Sequence, residues 1–163
     1  MTPLEPKNRI DIMKIVSAFL LFMLSASIAV ANQQSDEFLI TEAVTNYIVA
    51  QHKAKEAPMD DALHQNLKKQ TYWQDRDGEE FIMETSRRTM LDVAKSYNQS
   101  GTKFPETPRV DIDIYDIDQR VASVKLTADD WIDYMHLVKT DSGDWKILNV
   151  LWQYHDTKKH SNK

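Results

Sequence analysis

The chain has 163 residues, a net charge of −5 and no cysteine, so it has no disulfide to staple it and no thiol for nucleophilic or metal-binding chemistry. An acidic balance of this kind argues against a nucleic-acid partner, which would need clustered Lys and Arg to neutralise phosphates.

Lys7, Arg9 and Lys14 precede a nearly uninterrupted apolar run from Ile15 to Val30 that ends in Ala29-Val30-Ala31. A basic start, an apolar centre and a small-x-small end make the pattern of a secretory signal peptide, so residues 1–31 are expected to be removed before Asn32. Met13 is an alternative start that leaves the same mature chain. The rival reading, a retained anchor, suffers because the run is at the short end of what spans a bilayer and carries Ser17, Ser25 and Ser27. Removal deletes three cations and two anions, which takes the net charge from −5 to −6. With no lipobox cysteine to acylate, the mature domain is expected free of the membrane, in the periplasm or secreted. About 130 residues suffice to bury about two-thirds of the unfolded surface in one domain. That domain is expected over 32–156, followed by a disordered basic tail at 157–163.

Ser35 is a natural N-cap, and Ile40, Val44, Tyr47, Ile48 and Gln51 recur at helical spacing, which predicts a helix to about Lys53. Met59 to Leu67 reads as a second, shorter helix with Ala62, Leu63 and Leu67 inward. Thr71–Asp75 and Glu80–Met83 flank Arg76-Asp77-Gly78, a hairpin signal. Thr85 or Ser86 caps a third helix to about Tyr97, burying Met90, Leu91, Ala94 and Tyr97. Gly101, Pro105 and Pro108 make 98–108 a loop.

From Arg109 to Tyr154 apolar residues alternate with polar ones at period two, giving four consecutive strands. Their turns fall at Asp116–Arg120, Ala128–Asp130 and Asp141–Gly143. Helices first and a meander after is an α+β pattern. The run Ala122-Ser-Val-Lys-Leu-Thr-Ala-Asp-Asp-Trp-Ile-Asp-Tyr-Met-His-Leu-Val-Lys139, with Trp145-Lys-Ile-Leu-Asn-Val-Leu-Trp152, resembles the putative lumazine-binding family of the nuclear transport factor 2-like (NTF2-like, SnoaL-like) superfamily. The resemblance implies a curved, mostly antiparallel sheet wrapped around helices into a cone with an apolar mouth. That scaffold hosts enzymes, binding modules and assembly domains, so the fold alone names no activity.

A three-residue turn with Gly143 in the left-handed position pairs Thr140 with Asp144. The register then sets Leu137 opposite Ile147, Met135 opposite Asn149 and Asp133 opposite Leu151. One face carries Trp131, Asp133, Met135, Leu137, Trp145, Ile147, Asn149 and Leu151, among which Asp133 is out of place. A buried carboxylate must be paired, hydrogen-bonded or protonated. Asp133 and Asn149 are therefore either a mutually satisfied structural pair or the polar groups of a ligand pocket closed by Tyr47 and Trp73. In the pocket reading Asp133 is also the candidate catalytic base, as in the superfamily's ketosteroid isomerase, with Tyr47 or Asn149 stabilising an enolate. Lys125 stands opposite Asp133 if the second turn has three residues and on the other face if it has two.

The other face carries Tyr134, His136, Leu148, Val150 and Trp152 and is apolar enough to suggest a homodimer interface. Asp130 and His136 point away from Asp133 on a strand, so no metal site is expected, and with no Gly-rich phosphate loop no cofactor is expected either. The expected function is binding of a small apolar or aromatic ligand. The alternatives are a cofactor-independent lyase or isomerase and a dimeric assembly domain without ligand.

Overall fold

The computed structural model describes residues 36–162. The expected signal peptide at 1–31 and the Ser35 cap lie outside the described residues. Apart from Asp36, the first residue of the first helix, the elements below belong to the unit Glu37–Lys163, and among the described residues no helix is long and apolar enough to cross a membrane.

Helix α1 runs over 36–52, α2 over Glu56–Ala62 and α3 over Arg87–Ser96. Six strands follow in chain order as β1 Leu63–Gln74, β2 Glu80–Ser86, β3 Asp111–Asp118, β4 Val121–Thr127, β5 Trp131–Lys139 and β6 Trp145–Tyr154. They form one sheet in the order β2-β1-β6-β5-β4-β3, antiparallel except where β1 lies parallel to β6. This is the expected α+β cone, with helices on one face of a curved sheet. The expected stripe of α1 faces the core, for Ile40, Val44, Tyr47, Ile48 and Gln51 are all buried. Helix α3 starts on the Ser86 hydroxyl, which accepts from the Thr89 N–H at 3.2 Å.

The second helix stops earlier than its sequence suggests. It ends at Ala62, and residues 63–70 join the sheet beside β6. Leu63 and Leu67 are buried as expected, but on a strand, because a long-range parallel pairing outweighs a weak local helical pattern. The C-terminal segment also differs from a disordered tail. Residues 157–159 form a single 3-10 turn, and Gln74 then brackets the segment, donating to the His160 carbonyl at 2.9 Å and accepting from the Asn162 N–H at 3.1 Å. His160 is 2 % exposed. It packs on Tyr72, Trp73, Trp152 and Tyr154 with ring centroids 4.5, 5.4, 5.4 and 5.2 Å away.

The turn after β5 forms as expected, with the Thr140 N–H donating to the Asp144 carbonyl at 2.8 Å and Gly143 at φ +94. Leu137 duly faces Ile147, but Leu148 is then an unpaired bulge, and His136 faces Asn149, Met135 faces Val150 and Asp133 faces Trp152. One extra residue turns everything after it to the opposite face of the sheet. At the second turn Lys125 pairs with Tyr134 and Leu126 with Asp133, so Lys125 stands on the outer face, away from Asp133.

Candidate functional site

Between the sheet and the helices lies a cavity of about 240 Å³. Trp73 of β1, Met83 and Thr85 of β2, Trp131 of β5 and Trp152 and Tyr154 of β6 supply its sheet side. Gln51 of α1, Met90 and Val93 of α3 and Tyr97 at the C-cap of α3 close it from the helices. The bulge at Leu148 delivers Trp152 and Tyr154 to this side. Aromatic contacts knit the wall together: Trp152 meets Tyr154 edge to face at 5.0 Å, and Tyr97 meets Trp131 the same way at 6.4 Å.

The cation lining this cavity is Lys69, on β1 between Leu67 and Thr71. Its side chain is 8 % exposed and that of Asp133 is fully buried. Lys69 Nζ donates to Asp133 Oδ1 at 2.5 Å and to the Tyr47 hydroxyl at 2.8 Å. The other carboxylate oxygen, Asp133 Oδ2, accepts from the Trp131 indole N–H at 2.8 Å. An ammonium has three donors, and with two given to Asp133 and Tyr47, Nζ also sits 4.8 Å from the Trp152 ring centre, on the cavity's own wall. Burial pushes the Lys69 amine below its usual value, while the Asp133 charge works in the opposite direction. Burial also raises the Tyr47 phenol well above its ordinary range, with the Asp133 carboxylate adding to the shift.

Of the residues expected to bind ligand, Trp73 lines the cavity. Tyr47 and Asp133 stand behind Lys69, fully buried and joined to it. Both oxygens of Asp133 are engaged, so the structure offers it as an anchor for Lys69 more readily than as a free base. Asn149 lies elsewhere: it faces His136 across β5 and β6 on the outer side, with Oδ1 2.7 Å from His136 Nδ1. The bulge that moves Asn149 out also moves Val150 and Trp152 in, and Val150 is 2 % exposed. Of the five residues expected at a dimer interface, Tyr134, His136 and Leu148 therefore remain on the outer side, and Val150 and Trp152 belong to the interior. Among the described residues no cluster of His, Asp and Glu could hold a metal ion.

Lys69 escaped the sequence reading because it falls just past the expected second helix, and lysine is the residue least expected in a core. Two signals were present. Leu67, Lys69, Thr71 and Trp73 alternate at period two on one strand face, and a buried Asp133 calls for a cation.

Comparison with known proteins agrees with this architecture. Residues 35–153 match the family described as "Putative lumazine-binding". An NTF2-like protein of unknown function from Silicibacter pomeroyi superposes with a TM-score of 0.61 at 12% identity, covering 76% of this chain and 98% of that one. A second, from Shewanella baltica, gives 0.56 at 20% identity over 74% and 94%. An NTF2-like superfamily protein from Salmonella enterica gives 0.50 at 13% identity over 75% and 92%. At such identities these likenesses speak for the fold. No curated protein matches. The chain belongs to the putative lumazine-binding family, and its fold is that of the NTF2-like proteins.

Proposed function

We propose that this domain binds a small planar molecule in the aromatic-walled cavity, with Lys69 reading a carbonyl or anionic group on it. The observation that carries the reading is a nearly buried ammonium beside a recess lined mainly by aromatic and apolar side chains. Such a site favours flat π-systems that stack on Trp and Tyr and carry one acceptor for the cation. Its volume of about 240 Å³ is below the roughly 300–1,000 Å³ of pockets for drug-sized ligands, which favours one or two fused rings. A pteridine such as lumazine, the ligand in the family's description, has that size and those carbonyl acceptors.

The test is a panel of pteridines, flavins, steroids and polyketide-like aromatics followed by thermal unfolding and tryptophan fluorescence. Three of the four tryptophans line the cavity, so a bound ring should quench emission. Saturation at a hundred times Kd should stabilise the fold by about 2.7 kcal/mol. A panel that shifts neither signal would overturn the reading.

The domain is also proposed to be exported and to pair with a second copy. Export rests on the signal pattern at 1–31, and sequencing the mature N-terminus tests it, with Asn32 expected first. Pairing rests on the outer face of the sheet, where Tyr134 is 45% and Leu151 62% exposed. Sedimentation should find a dimer in wild type and a monomer after Leu151→Lys.

A further inference from the structure

We infer that Lys69 is a carbonyl-capturing amine, which condenses with an aldehyde or ketone entering the aromatic cavity. The inference rests on the cavity admitting a small molecule and adds a covalent step to it. Three placements support it. Lys69 Nζ lies beside the cavity, 4.8 Å from the Trp152 ring centre. A carboxylate stands 2.5 Å away to take a proton from it. A phenol hydroxyl stands 2.8 Å away on another side, so the amine is oriented by two fixed groups. A lysine desolvated among apolar groups is the usual form of an amine nucleophile.

The reaction keeps the charge that the site is built around. Lys69 passes one proton to Asp133, and the freed lone pair attacks the carbonyl carbon, forming a C–N bond while the C=O electron pair moves to oxygen. A proton from Asp133 and a second from nitrogen leave with that oxygen as water. The product is a protonated imine that carries the third original proton and one positive charge. Ammonium plus carbonyl thus becomes iminium plus water, and Asp133 faces a cation before and after. A buried carboxylate left alone would cost several kcal/mol, so conservation of this pair removes the main obstacle to modifying a buried lysine. Burial, which lowers the proton affinity of Lys69, works in the same direction.

Lys68 supplies an internal control, as the adjacent residue on the same strand, solvent-exposed and on the opposite face. The full domain would be treated with benzaldehyde or 6-methoxy-2-naphthaldehyde and sodium cyanoborohydride between pH 6 and 9, and the adducts mapped by peptide mass spectrometry. Labelling at Lys69 should clearly exceed that at Lys68 near pH 7, because burial lowers the Lys69 amine below its usual value and the cavity holds the carbonyl beside it. The excess should shrink as the pH rises. Lys69→Arg keeps a cation for Asp133 and should abolish the preferred adduct. Labelling of Lys69 no faster than of Lys68 overturns the inference. Tryptophan quenching by 2-naphthol, which has no carbonyl, separates the two ideas. Quenching without a Lys69 adduct removes covalent capture and leaves binding, whereas loss of both removes the pocket reading as well.

Discussion

Lys69 and Asp133 reach each other from strands that are not neighbours. Strand β6 runs between β1 and β5, and the pair closes over it at 2.5 Å, with Lys69 beside Val150 and Asp133 beside Trp152. The contact therefore ties the only parallel junction of the described sheet to its antiparallel half. Its energetic value lies mainly in what happens if one partner is lost, since two ions withdrawn from water gain little together and cost much apart.

Lys69→Met is accordingly expected to destabilise the domain by about 3–5 kcal/mol, because Asp133 is left buried without its cation. Adding Asp133→Leu should return most of that loss. Urea unfolding of both single variants and the double variant gives the coupling. A single Lys69→Met variant as stable as wild type would mean that the pair contributes nothing.

Tyr47 should hold its proton well beyond the pH at which an ordinary tyrosine loses it. Its folded value is raised by burial first and by Asp133 second, so its contribution to stability is present below pH 10 and is lost as the pH rises above it. Lys69, with a lowered value, acts in the opposite sense, since its unfolded form holds more protons on the approach to pH 10.5. Absorbance titration of wild type against Tyr47→Phe should show Tyr47 ionising only together with alkaline unfolding. Ionisation of Tyr47 in the folded domain near pH 10 would contradict this.

Stability should fall as the pH drops below about 6.5. Burial lowers His160 below its usual value, opposed by its hydrogen bond to the Tyr72 carbonyl, and burial likewise lowers His52. The Tyr154 N–H donates to His160 Nε2 at 2.8 Å, and Nδ1 donates to the Tyr72 carbonyl at 3.0 Å. That ring is thus satisfied only when neutral, and protonation puts a donor where an acceptor is required. Denaturant midpoints between pH 7.5 and 5 should show the decline, reduced in His160→Gln and reduced further when His52→Gln is added. An unchanged slope in the double variant would assign the effect to other groups.

Gly143→Ala should cost about 1 kcal/mol although nothing lies within 4 Å of the added methyl, because φ of +94 is a conformation alanine resists. Thermal unfolding measures it, and a cost near zero would mean the turn has relaxed.

The cone was legible because its long helix and its meander are written in strong local periodicity: the stripe from Ile40 to Gln51 and the alternation from Val110 onward. The β1–β6 pairing was not, because parallel partners about 80 residues apart leave no local mark. Asp133 was placed on the inner face correctly, since parity from the Asp141–Gly143 turn holds along β5. The same parity failed on β6, where Leu148 adds one residue and no glycine announces it. From that step follow the misplacement of Asn149 and the omission of Trp152 and Tyr154 from the cavity. His160 shows a further limit: its burial depends on the nearby rings of β6 and also on Tyr72 and Trp73 of β1, almost ninety residues earlier.

The kink at Leu148 has an evolutionary corollary. Removing its codon would join Ile147, facing inward, to Asn149, facing outward, in plain alternation, so Trp152 and Tyr154 would keep their side. Drawing Leu148 into the ladder would instead reverse the last six β6 residues and bring Leu151 and Gln153 to the hollow in place of Trp152 and Tyr154. One stretch of chain thus encodes two linings, and whether a single position stays looped out selects between them.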